Sequence, residues 1–204
     1  MKEEDENHIT KFETTFVSKT IPTDFRIDQL RKYAEHFTAY NLAPPYPGGS
    51  HGNMSFRIVA EEDPFIITAS KTALFDPLRD KDFVKVDFVD FENNRVEAHG
   101  ERLPSSESMI HFGIYRIRKD VNCILHGHSP EILANGEKLE IPETENEVPF
   151  GTFELVEQVL EVAEIHDFLV MKNHGFISMG KSMEEAWSNI ESYLKKLGLD
   201  AFEK

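Results

Sequence analysis

The chain has a single cysteine, Cys123, so no intramolecular disulfide framework holds it together. It is also poor in positive charge. Lys and Arg number 22 against 37 Asp and Glu, a formal net charge of −15. No basic patch stands out against that excess. A chain this acidic is repelled by nucleic acid and by anionic lipid. No apolar run approaches the length that spans a bilayer. The opening MKEEDENH is acidic and polar, the opposite of a signal or transit peptide, so a cytoplasmic protein is expected. Internal repeats, coiled-coil heptads and low-complexity linkers are likewise missing. What is present suffices for a core: 40% of the 204 residues are hydrophobic. If the protein binds an anion, a local device must overcome the global charge.

The length fits one domain. Residues 1–22 are expected to form an N-terminal extension, partly disordered, with a frayed acidic start and a short strand between Ile9 and Ile21. Residues 23–204 are expected to form the domain. A helix is expected from Asp24 to Tyr40, since Ile27, Leu30, Ala34 and Phe37 recur at helical spacing. Three prolines and two glycines in residues 41–50 then force a loop. Strands are expected at Met54 to Val59, Phe65 to Thr68, Phe83 to Phe91 and Arg95 to His99. Asn122 to His128, Phe168 to Lys172 and Phe176 to Met179 follow as further strands. Helices are expected at Ser106 to Arg118, Thr152 to Ile165 and Met183 to Leu199. Ser182 and Glu185 read as a capping box. Pro130 to Pro149 reads as irregular and acidic. Helices mixed with hairpin-like strand pairs argue for an α/β sandwich on a mainly antiparallel sheet.

His8, His36, His99 and His166 sit singly and read as ordinary surface or core residues. His126-Gly127-His128 differs, because alternate strand residues project to one face. Such a pair is a ready bidentate metal site, or an incidental neighbour pair. His174 lies between two strands in Asn173-His174-Gly175. Should it meet the other two, three neutral imidazoles and an open position result, the arrangement of a catalytic zinc. Pro104-Ser105-Ser106-Glu107 opens a helix. It reads as an anion cradle with an acid/base carboxyl beside it, or as a plain helix cap. Gly52-Asn53 and Ser70-Lys71 offer backbone approach, an amide, a hydroxyl and an ammonium. With Ser105 and Ser106 they are able to surround a phosphate without a Walker loop. Cys123 reads as a small core residue beside the histidine strand.

Taken in order, these segments resemble the class II aldolase/adducin family. The matching stretches are Gly52-Asn53-Met54-Ser55-Phe56-Arg57, Ile67-Thr68-Ala69-Ser70 and Leu103-Pro104-Ser105-Ser106-Glu107. His111 and Tyr115 follow on the helix. Then come Arg118 to Asn122, His126-Gly127-His128, Pro149 to Thr152, Asn173-His174-Gly175 and Gly180 to Ala186. The resemblance covers about Arg26 to the C-terminus. It implies a three-layer α/β/α sandwich around a mainly antiparallel sheet. It implies one Zn2+ per subunit on His126, His128 and His174, with Glu107 as the acid/base group. It implies substrate phosphate held by Gly52, Asn53, Ser70, Lys71, Ser105 and Ser106. The implied activity is zinc-dependent aldol cleavage of a phosphorylated ketose, such as fuculose 1-phosphate, to dihydroxyacetone phosphate and a short aldehyde. A ketose-1-phosphate dehydratase of the methylthioribulose-1-phosphate type, a pentulose-phosphate 4-epimerase and a non-catalytic adducin-like module are the alternatives. The epimerase branch usually has Asp at the place of Glu107, and adducin-type domains lose the metal histidines. A homotetramer with active sites between subunits is implied too. Three features depart from the pattern. No tyrosine lies between Tyr115 and Tyr193, where the family's aldolases carry an acid, and the stretch from His128 to Phe150 is short. Lys71 stands where glycine is usual, and His51 where a small residue is usual. The chain also stops soon after its last helix.

Overall fold

The computed structural model describes residues 12–199. The acidic start, Met1 to His8, lies outside the described residues. Ten strands and five α-helices follow one another as β1 Glu13–Ser18, α1 Ile27–Ala39, β2 Pro45–Tyr46, β3 Gly49–Ser50, β4 Asn53–Arg57 and β5 Phe65–Thr68. Next are β6 Phe83–Asp90, β7 Arg95–His99, α2 Ser108–Ile117, β8 Cys123–Gly127 and α3 Pro130–Ala134. The chain continues with α4 Phe153–Ala163, β9 Phe168–Met171, β10 Gly175–Gly180 and α5 Met183–Lys196.

Eight strands form one sheet in the order β1-β7-β6-β5-β4-β8-β10-β9. Only β1 on β7 is parallel; the other neighbours run antiparallel. Strand alternation sorts the core into two layers. Met54, Phe56, Leu125 and Phe176 face α1 and α5. Ile67, Ile124, Ile177 and Met179 face α2 and α4. The fold is the expected three-layer α/β/α sandwich on a mainly antiparallel sheet. No helix among the described residues is long and apolar enough to cross a membrane.

Most element boundaries fall within a few residues of expectation, and the differences have causes. Within the acidic stretch 130–149, α3 is a helix that the composition hid. Ser129 caps it by accepting from the Ile132 N–H, and Pro130 occupies its first turn. α2 opens at Ser108, two residues later than expected, because Ser105 and Ser106 are spent on the preceding turn. At α5, Ser182 caps Glu185 as expected, but the Glu185 carboxylate reaches back to the Lys181 N–H instead of that of Ser182.

One side of β4 is unusual for a buried strand. Asn53, Ser55 and Arg57 all point toward α2, and all are buried. Each meets a polar group of the helix. Asn53 Nδ2 donates to Glu107 Oε2 at 2.6 Å. Ser55 Oγ lies 2.7 Å from both His111 Nδ1 and Tyr115 OH. Arg57 donates to the carbonyls of Tyr115, Arg118 and Val121. The spacing explains the fit. Two strand steps advance about 6.7 Å and four helix steps about 6 Å, so every second strand residue meets a new helical turn. The guanidinium sits at the carbonyl end of α2, where a cation is favoured.

His111 is fully buried, and burial pushes its pKa down to about 3. The unfolded chain would protonate it near pH 6.5. The unfolded state therefore binds the extra proton, and this contribution to stability is lost as pH falls below about 6.5, by up to about 1.4 kcal/mol per pH unit. Urea unfolding at pH 7 and pH 5 should show a smaller loss for His111→Phe than for the parent. An equal loss in both would contradict the assignment.

Candidate active site

Three loops and two strand ends converge at one end of the sheet. They enclose a cavity of about 590 Å³. All ten residues singled out from the sequence line it: Gly52, Asn53, Ser70, Lys71, Ser105, Ser106, Glu107, His126, His128 and His174.

The histidines meet as the H-x-H spacing and the strand-turn-strand tip suggested. β10 pairs with β8, with Ile177 opposite His126, which brings the β9–β10 turn beside the end of β8. His126 Nε2 and His128 Nε2 lie 3.1 Å apart. One ligand atom from each of His126, His128 and His174 lies within 4.8 Å of the other two. The rings of His126 and His174 are stacked at 5.4 Å. Gly175 is needed for this approach. A Cβ there would lie 2.8 Å from His126 Cε1 and 2.6 Å from the Gly127 carbonyl oxygen.

Donor chemistry fits a divalent metal. His126 Nδ1–H donates to the Phe176 carbonyl at 2.8 Å, which leaves Nε2 with a free lone pair facing its two neighbours. Burial holds His126 below its usual pKa. Burial and the adjacent imidazoles push His128 down to about 2. Both are therefore neutral, the form that ligates.

Glu107 is the buried carboxylate in contact with these histidines. Its Oε1 accepts from His174 Nε2 at 2.8 Å, and its Oε2 lies 3.1 Å from His126 Nε2. Burial alone would raise its pKa. The His174 contact, by hydrogen bond and by charge, counters that, and the carboxyl is held well below the usual range. His174 moves the other way: burial lowers it, but the Glu107 contact raises it overall. Asn53, at the expected place on β4, donates to this carboxylate and fixes its second oxygen.

At the opposite end, Ser70 and Lys71 follow β5. Arg102 grips this corner by donating to the carbonyls of Ser70 and Lys71 and pairing with the buried Asp82. Lys71 has φ of +56°, in the left-handed region that favours glycine. Ser105 Oγ accepts from the Glu107 N–H, and Ser106 lines the cavity.

Several lining residues were not among the site residues expected from the sequence, although Pro149 and Phe150 belong to a stretch that matches the family. Tyr46 comes from the proline-glycine loop. Glu147, Val148, Pro149 and Phe150 come from the stretch after α3. That stretch runs beside β9, with Thr144 N–H donating to Val170 O and Val170 N–H to Pro142 O. It thereby closes the cavity at the sheet edge. Only the helix cap at Thr152 hinted where it ends.

The description "Class II Aldolase and Adducin N-terminal domain" matches residues 29–196. The chain belongs to the class II aldolase and adducin family. An L-fuculose phosphate aldolase of Methanococcus maripaludis is 31% identical over 160 residues, 72% of this chain and 82% of the relative. A methylthioribulose-1-phosphate dehydratase of Leptospira interrogans is 29% identical over 200 residues, 80% of this chain and 78% of the relative. Both activities are lyase activities, as expected for this class II aldolase-family chain. A solved L-fuculose 1-phosphate aldolase superposes with a TM-score of 0.66 at 22% identity, covering 90% of this chain and 93% of that one. That likeness supports the fold.

The left-handed backbone at Lys71 yields a direct test. Lys71→Gly should stabilise the fold by about 1 kcal/mol, because glycine adopts this φ freely. Urea unfolding checks it; a loss of stability would show that the lysine side chain outweighs the backbone.

Proposed function

We propose that this chain is a zinc-dependent aldolase that cleaves a ketose 1-phosphate to dihydroxyacetone phosphate and a short aldehyde. The observation that carries the reading is the convergence of His126, His128, His174 and Glu107 in one cavity. Three imidazoles favour zinc over harder cations. When bound, such an ion supplies Lewis-acid stabilisation of negative charge developing on the substrate oxygens.

The chain's own residues set the rest. Strand order places the parts in sequence across the sheet: Ser70 and Lys71 after β5, Asn53 on β4, His126 on β8, His174 beside β10. At about 4.8 Å per strand, β5 to β8 spans roughly 10 Å. The phosphate would lie at Lys71, with Ser70, Ser105, Ser106 and the Gly52 backbone around it. Asn53 belongs to this set by position, while its amide also orients Glu107. Breaking the C3–C4 bond requires the C4 hydroxyl to lose a proton and C3 to gain one. Glu107, ionised at rest, is the base of the site. It would carry the proton and deliver it to C3. Beyond His174 the wall is Val148 and Phe150, with the Phe150 ring 6.5 Å from that of His174. The polar neighbours there are engaged: Asn173 donates to Glu147, and Lys172 Nζ to the Glu145 carbonyl. This end suits a short apolar terminus, such as the methyl group of fuculose 1-phosphate.

A dehydratase is the second reading. Its support is the same wall, which carries no tyrosine from 143 to 150, together with the Leptospira relative. Glu107 would then take the C3 proton while the C4 hydroxyl leaves as water, giving a diketone phosphate. The subunits would form a homotetramer with sites between them. Phe75 and Leu103, 42% and 46% exposed, flank the segments bearing Lys71 and Ser105 and are suited to that contact.

The purified protein should contain about one zinc per chain and should release dihydroxyacetone phosphate from a ketose 1-phosphate. A diketone phosphate without dihydroxyacetone phosphate would select the dehydratase instead. Glu107→Gln should lower turnover at least a thousandfold while retaining metal. Lys71→Gly should raise KM about tenfold or more with kcat little changed. Activity that survives Glu107→Gln would remove the carboxylate from the mechanism.

A further inference from the structure

The three metal-ligating histidines are not supported alike. His126 is oriented by its hydrogen bond to the Phe176 carbonyl. His174 meets the Glu107 carboxylate through Nε2, and its ring is flanked by that of Phe150. His128 receives no comparable bond on its second ring nitrogen. Its side chain meets the other two histidines and His51. The His51 ring lies 4.6 Å from the His128 ring, with 33° between their planes. Behind it, the Tyr46 ring meets His51 edge-on at 5.1 Å.

Backbone contacts fix this stack in place. The His51 N–H donates to the Pro44 carbonyl across the β2–β3 hairpin. Ser50 is tied to the next loop, donating from its N–H to Thr72 O and accepting from Leu74 N–H on its hydroxyl. Gly52 then turns the chain into β4 at φ of +82°, with its would-be Cβ 2.7 Å from the His126 carbonyl oxygen. The hairpin is thus built against the end of β8, and the His51 ring has a defined place over His128.

We propose that His51 is a positioning residue for the metal site: it holds the His128 ring through a tilted ring-to-ring contact, with Tyr46 as its backing. This inference rests on the metal reading of the three histidines. The role assigned is that of the ring face, not of a ring nitrogen. It gives His128 what the Phe176 carbonyl gives His126. Losing an orienting partner of a ligand commonly costs 10- to 100-fold in metal affinity.

The test measures Zn2+ affinity of the full chain by competition with a chromogenic chelator, in the absence of substrate. His51→Ala should weaken binding tenfold or more. His51→Phe keeps the aromatic face and should stay within about threefold of the parent. His51 is half-exposed, so truncating it opens no buried void, and thermal unfolding of the metal-free variants should match the parent. An affinity loss below tenfold in His51→Ala overturns the proposal. So does a His51→Phe variant as weak as His51→Ala, because a nitrogen would then be the working part. His128→Ala separates the two levels. If it abolishes tight binding while His51→Ala does not, only the positioning role falls. If it leaves binding intact, the metal reading falls and the proposal with it.

Discussion

The structure depends on the polar seam between β4 and α2. Burying Asn53, Ser55 and Arg57 on one side of a strand is costly unless each is hydrogen-bonded. The helix meets that demand at three successive turns. Arg57 holds the carbonyl end of α2 through three backbone oxygens. Asn53 holds the other end through the Glu107 carboxylate. Between them Ser55 joins His111 and Tyr115. The helix is left with little freedom to slide or rotate, because a shift of one residue would break all three attachments. The Glu107 carboxylate is therefore located by structural bonds made as far as four strand residues away.

Charge follows the same logic of local against global. A net charge of −15 would discourage a sugar phosphate if it were spread evenly. It is not. The corner after β5 has Lys71, with Arg102 paired to Asp82 behind it. The metal end has three imidazoles and a single carboxylate, which is matched to His174 and Asn53. Other acidic residues, Glu143, Glu145 and Glu147, lie outside along the β9 edge or at its rim. The positive and neutral groups are thus concentrated in the cavity of an otherwise acidic protein.

Much of this was readable from residue order. The H-x-H pair needed only the two-residue period of a strand, and the pair's convergence with His174 needed only that the β9–β10 hairpin lie beside β8. Both features are local or nearly so. The mixture of helices with hairpin-like strand pairs pointed to an α/β sandwich, and the family resemblance supplied its three layers. Other features were hidden because they arise from contacts between distant segments. Asn53 looked like a phosphate amide, since nothing in its neighbourhood announces a carboxylate 54 positions later. Phe150 and Val148 looked like loop residues, since the stretch before them is acidic and its edge pairing with β9 is made through the backbone. α3 was obscured by acidic composition, although Ser129-Pro130 is a good helix start. Lys71 was visible as a departure, but only its φ shows that the backbone there remained in a glycine conformation after the side chain changed.

The strand order also indicates where reaction outcome is decided. The residues proposed for phosphate, the three histidines and Glu107 sit on or beside central strands β5, β4, β8 and β10, and are tied into the sheet by register or by the seam. The wall made by residues 147–150 hangs on the edge strand β9 through a few backbone bonds and the Thr152 cap. Edge segments tolerate changes of length and composition that central strands do not. Both lyase readings use the same base at C3 and differ in what happens at C4. Under the proposed function that part of the substrate would lie past His174, against the edge segment. A family can thus keep its central constellation and exchange aldol cleavage for dehydration by rebuilding the wall. In this chain that wall is formed by Glu147, Val148, Pro149 and Phe150, with the Phe150 ring beside His174.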